Sequence, residues 1–150
     1  MSDNWITLIP EDPHHVPDRE RQVRALERYA QIAPKADSLE IELSEKVRFF
    51  DCGGNFERIM CPTCHAEIPI TWFQRAFDED ADDGFKLLRY ETPCCQSMHT
   101  LHELDFRWPE GFGRFGLTGM NPGIGLLQEE HKRELEEILG TKLRVIYQHI

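Results

Sequence analysis

Four of the five cysteines in this 150-residue chain fall into two tight clusters, Cys61-Pro62-Thr63-Cys64 and, after the 29 residues 65–93, Cys94-Cys95. A CxxC turn aims both sulfurs at one point, and a second cluster elsewhere in the chain can complete a tetrahedron around Zn2+. The spacing therefore points to a metal held by Cys61, Cys64, Cys94 and Cys95. The second cluster departs from a regular CxxC, because adjacent side chains point apart in an extended chain. Pro93 supplies a bend that would let them converge. Cys95 and His99 have the CxxxH spacing that zinc also uses, so His99 competes with Cys94 for the fourth position, with His102 and His65 more remote. Two other chemistries fit the same residues, reduced cysteines in a small core and disulfide exchange. The latter needs a helix opening at the first cysteine to lower its pKa. Residues 65–71 alternate and contain Pro69, which reads as strand.

With strands at 56–60 and 67–71 around the first cluster, and at 85–90 and 98–104 around the second, the stretch 52–106 resembles a zinc ribbon, two knuckles at the tips of hairpins. The resemblance covers about a third of the chain and implies a scaffold without a function, since zinc ribbons bind nucleic acid, bind proteins or only stabilise a fold. The chain as a whole resembles a type of small bacterial protein marked by CPxC, PCC and a WPxGFxRF-like run, here Trp108-Pro109-Glu110-Gly111-Phe112-Gly113-Arg114-Phe115. That likeness implies no catalytic residue.

The elements that must position the cysteines read as follows. Residues 5–9 form a first strand stopped by Pro10, and the loop after it carries His14 and His15, read as exposed polar residues. Val23, Leu26, Ala30 and Ala33 recur at helical spacing over 17–33, with Pro17 at the first helical position. Leu39, Ile41, Leu43, Val47 and Phe49 all occupy odd positions, which predicts one strand with one buried face. Cys52 is expected to be a partly buried free thiol. Residues 72–77 suit a short helix, and the five carboxylates within 78–83 predict a solvated loop whose spacing lacks the calcium-loop pattern. Residues 102–108 alternate as a strand, 112–120 return, and Phe106, Trp108, Phe112 and Phe115 read as core packing more than as a ligand platform. Leu127, His131, Leu135 and Ile138 mark a further helix capped by Gly140, and residues 143–147 a final strand.

Length allows one α+β domain over 1–150 with a small insertion. Without the insertion at 52–106 the order is βαββαβ, which resembles a ferredoxin-like sandwich carrying a zinc ribbon. Seventeen Lys and Arg against 27 Asp and Glu leave a net charge of −10, which opposes nucleic-acid binding. An odd cysteine count with a metal-like cluster, no basic-then-apolar start and no long apolar run predict a cytoplasmic protein with no membrane partner. The leading expectation is a non-enzymatic zinc protein whose acidic surface meets a protein partner, a basic one by charge. The alternatives are a zinc enzyme with an open metal position and a nucleic-acid-binding ribbon. No HExxH, nucleophile elbow or phosphate loop supports the enzyme.

Overall fold

The structure, a computed structural model, describes residues 2–150. Its elements in order are β1 (Asn4–Pro10), α1 (Arg19–Ile32), β2 (Ser38–Phe50), β3 (Arg58–Met60), β4 (Glu67–Ile68), α2 (Ile70–Asp80), β5 (Tyr90–Glu91), β6 (Met98–His99), a single 3-10 turn (Leu101–Glu103), β7 (Asp105–Arg107), β8 (Gly111–Met120), α3 (Glu129–Leu139) and β9 (Leu143–His149). The result is a mixed α/β fold with three α-helices among the described residues and antiparallel sheets. None of those helices is long and apolar enough to cross a membrane.

The larger sheet has strand order β2-β8-β1-β9, each neighbouring pair antiparallel. Alternation along β1 and β8 sends Ile6, Leu8, Phe115 and Leu117 to one side, where they bury against Ala25 and Tyr29 of α1 and Leu135 and Leu139 of α3. Both helices are thus held on one face by their apolar stripes. Asp18 caps α1 by accepting the Arg21 N–H at 2.9 Å, which puts Pro17 before the cap and not at the first helical position. Gly140, at φ 70°, ends α3 in the left-handed conformation that a side chain resists. Arg28 of α1 grips Glu134 of α3 through two hydrogen bonds of 2.9 and 3.1 Å. Inside, the Tyr29 hydroxyl donates to the Ile6 carbonyl at 2.8 Å.

β2 does not keep one face. Leu43 pairs with Phe115 but Arg48 with Gly113, so five steps along β2 match two along β8. Three extra residues, an odd number, reverse the alternation. Leu39 and Ile41 pack on the helix-side core, whereas Val47 and Phe49 belong to a second core with Ile59, Ile68, Phe73, Leu101, Phe106 and Phe112. The rings of Phe49 and Phe112 lie 4.9 Å apart, and Phe77 and Phe85 close the cluster at 4.7 Å from each other. The expected aromatic group is accordingly divided: Phe106 and Phe112 pack in the second core, Phe115 in the first, and Trp108 stays on the surface, edge-on to Tyr147 at 5.8 Å.

The Tyr29–Ile6 hydrogen bond is buried, so Tyr29→Phe should lower unfolding stability by about 1 kcal/mol, read from the urea midpoint at unchanged slope.

Candidate metal centre

The second core carries two short hairpins. β3 pairs with β4, and β5 with β6, all antiparallel, and each hairpin loop holds one cysteine cluster. Their strands are shorter than the sequence pattern suggests. The chain turns into α2 at Ile70, which also exceeds the expected 72–77 helix at both ends, and Leu101–Glu103 is a 3-10 turn, not strand.

The two loops are the same turn. In the first, the Cys61 N–H donates to the Ala66 carbonyl at 2.8 Å and the His65 N–H to the Cys61 carbonyl at 2.9 Å. In the second, the Thr92 N–H donates to the Ser97 carbonyl at 2.9 Å and the Gln96 N–H to the Thr92 carbonyl at 3.0 Å. His65 and Gln96 both take φ near the left-handed region, 64° and 59°. Thr92 therefore stands where Cys61 stands, Cys94 where Thr63 stands, and Cys95 where Cys64 stands. The second loop is a knuckle whose first sulfur has moved two positions along the chain. A prolyl residue second and a cysteine fourth in both six-residue stretches, 61–66 and 92–97, is the sequence signal of this repeat.

The four sulfurs of Cys61, Cys64, Cys94 and Cys95 lie within 4.8 Å of one another, the one group of three or more potential ligands so gathered among the described residues. Cys61 is buried and Cys64 exposed. The Cys61 and Cys95 sulfurs are 3.8 Å apart. A tetrahedral thiolate site with metal–sulfur bonds of about 2.3 Å has edges of about 3.8 Å, so the donor set and its spacing fit such an ion. Hydrogen-bond donors already face the sulfurs: the Thr63 N–H reaches Cys61 Sγ at 3.4 Å, and the Ser97 hydroxyl reaches Cys95 Sγ at 3.2 Å. Burial pushes the Cys61 thiol up, but the N–H groups of Cys64 and Thr63 and the Ser97 hydroxyl outweigh it and bring it to about 5. The Ala66 N–H favours the Cys64 thiolate, yet the neighbouring thiols and burial drive that group up to about 12. Four sulfurs this close cannot all ionise without a cation among them.

His99 is not among the gathered ligands. Its Nε2 sits 2.8 Å from the Thr63 hydroxyl, and its Nδ1 faces Glu103 at 3.7 Å. His65 is exposed on its turn, and His14 and His15 lie in the β1–α1 loop. His102 is buried against the main sheet, its Nε2 donating to the Glu11 carbonyl at 2.7 Å while Nδ1 accepts the Phe112 N–H at 2.9 Å. These partners fix one neutral tautomer, and burial, helped by the nearby Arg144 guanidinium, lowers its pKa to about 4. Arg144 of β9 completes the junction, paired with Glu11 at 2.9 and 3.1 Å and donating to the carbonyls of His102 and Glu110.

The acidic run hides a structural residue. α2 continues to Asp80, which is fully buried and not part of a solvated loop. Its carboxylate accepts the N–H groups of Leu87 at 2.8 Å and Leu88 at 2.9 Å and the Tyr90 hydroxyl at 2.9 Å, fastening the approach to the second knuckle. Cys52 is fully buried beneath the sheet, deeper than the partial burial expected of it.

No family model matches this chain, nor does any curated protein or solved structure. Geometry and donor chemistry alone make this a candidate metal-binding site.

Asp80→Ala removes a fully buried acceptor from two part-buried N–H donors and a phenol, so it should cost about 2 kcal/mol in urea unfolding. His102 makes a pH-dependent contribution. The unfolded residue takes a proton below about 6.5 while the folded one does not until about 4, so stability present above 6.5 is lost as pH falls through that window. Between pH 7 and pH 4.5 the native chain should lose roughly 2–3 kcal/mol more than the His102→Gln variant in paired urea titrations.

Proposed function

We propose that this chain is a zinc protein in which Cys61, Cys64, Cys94 and Cys95 hold one structural Zn2+, and in which residues 52–106 are a zinc ribbon inserted into a ferredoxin-like sandwich. The observation that carries the metal reading is the meeting of four sulfurs within 4.8 Å from two loops of identical backbone turn. Zinc is favoured over other metals because the set is all thiolate, and four thiolates fill a tetrahedral shell, as structural sites do. Three-ligand catalytic sites keep a position open for water, and this donor set leaves none. Support for the sandwich comes from the strand order β2-β8-β1-β9, all antiparallel, with α1 and α3 on one face. The role of such a lobe is to present a shaped surface, and a net charge of −10 favours a basic protein partner in the cytoplasm over nucleic acid.

Elemental analysis of protein purified without added metal should find one zinc per chain. Cys61→Ser and Cys94→Ser should each lose most of that zinc, while His99→Ala should keep it. Because Thr92 occupies the first position of the second knuckle, the double change Thr92→Cys with Cys94→Ser rebuilds a regular CPxC pair and should recover zinc that Cys94→Ser alone has lost. Full zinc content in Cys94→Ser would remove that residue from the ligand set. A metal-free native protein with the same fold would overturn the proposal.

A further inference from the structure

A cavity of about 470 Å3 opens beside the second core, where Phe56 also packs on the small buried group of Ile9, Cys52 and Ile146. Its walls are the rings of Phe49, Phe56, Phe73 and Phe77 together with Ile70. Its polar lining is one amide, Gln74 on α2, and three acids, Asp51 just after β2, Asp78 on α2 and Glu110 just before β8, with no Lys, Arg or His among the lining residues. Glu110 is the unusual member. It is 6% exposed, yet its nearest polar partners are the Cys52 N–H, 3.2 Å from Oε2, and the Cys52 thiol, so its carboxylate has no counter-cation. Arg144 touches only the Glu110 backbone carbonyl, at 2.7 Å. Both Asp51 oxygens are occupied, by the Gly53 N–H at 3.0 Å and by Gln148 at 3.0 Å. Asp78 is exposed to solvent, so Glu110 is the buried acceptor with capacity to spare.

A buried carboxyl that lacks a cation, beside four aromatic faces whose quadrupoles attract positive charge, is complementary to one ligand class. The volume lies within the range of small-molecule sites. We propose that this cavity binds a small organic cation, a primary ammonium carried on an apolar frame, with the ammonium on Glu110 and the frame between Phe49, Phe73 and Phe77. A carboxylate or phosphate ligand would meet three acids, and a neutral one would leave the Glu110 carboxylate without a counter-charge.

The groups next to Glu110 are Asp51 and Cys52 just after β2, Asp78 of α2 in the lining of the same cavity, and the Arg144 guanidinium of β9, which is spent on the Glu110 backbone carbonyl and on Glu11. Burial, then the Asp51 charge, raises the Glu110 pKa to about 7, so its carboxylate fraction grows between pH 6 and pH 8. Ammonium binding should strengthen by about tenfold across that interval, as the ionised fraction does.

The test is calorimetric titration of the zinc-loaded full chain with phenethylammonium, 2-phenylethanol and 3-phenylpropionate, zinc content being measured in every sample. Expected are saturable binding of phenethylammonium, at least tenfold weaker binding of the alcohol, and none of the acid. Glu110→Gln should keep its zinc and its fold, lose at least tenfold in phenethylammonium affinity, and abolish the pH dependence. Equal affinity for the amine and the alcohol would overturn the proposal, as would unchanged amine binding in Glu110→Gln or absence of amine binding by zinc-loaded protein. Tighter binding of Nα-acetyl-lysine methylamide than of phenethylammonium would overturn the assignment to a free small molecule. Zinc loss from the native chain would instead count against the metal reading, so the two failures are distinguishable.

Discussion

Five residues of β2 run past two residues of β8, and the whole two-core architecture depends on that mismatch. An even insertion would have left Phe49 facing the helices with Leu39 and Ile41. An odd one turns it to the other side, against Phe112, where no helix of the main layer can cover it. The exposed aromatic surface that results needs its own lid. The segment between β2 and β8 supplies one, placing Ile59, Ile68, Phe73 and Phe106 over the pair.

The lid is made of small parts. Its hairpins contribute strands of two or three residues, too short for backbone pairing to hold them unaided. Three kinds of constraint take over. The aromatic cluster of Phe49, Phe77, Phe85 and Phe112 ties α2 to β2 and β8. Asp80 fastens the approach to the second knuckle through three hydrogen bonds. The four sulfurs meet where the two hairpin tips meet, and the repulsion among their thiolates is what a divalent cation would relieve.

At the seam, polar groups are used differently on the two sides. His102 and Arg144 are fully partnered, and they lock the 101–110 segment to β1 and β9. The Glu110 side chain lines the aromatic cavity, with Cys52 as the hydrogen-bond partner of its carboxylate. A protein that buries a carboxyl in apolar surroundings without a cation accepts a cost of several kcal/mol. The contrast with its satisfied neighbours is why that residue reads as a site and they read as structure.

Elements with a strong local period or cap were legible in the amino-acid order. β1, α1, α3 and β9 follow from alternation, three-and-four spacing, and Gly140, because those signals arise from each element's own face against one core. The CPxC pair was equally legible, since a single turn fixes both sulfurs. Tertiary structure alone decided what lay between distant positions. The odd-numbered pattern of β2 was real, but three extra residues at 44–47 reversed its meaning, and no local period records a register shift against another strand. Asp80 looked like one more acid in a solvated run, because its partners Leu87, Leu88 and Tyr90 bear no charge to mark them. Spacing favoured Cys94 and left His99 as its competitor; the fold brings the Cys94 sulfur to the other three on a loop with the same turn as the first, where Thr92 holds the place of Cys61. Spacing limits which atoms can meet, but the shared backbone turn selects among them.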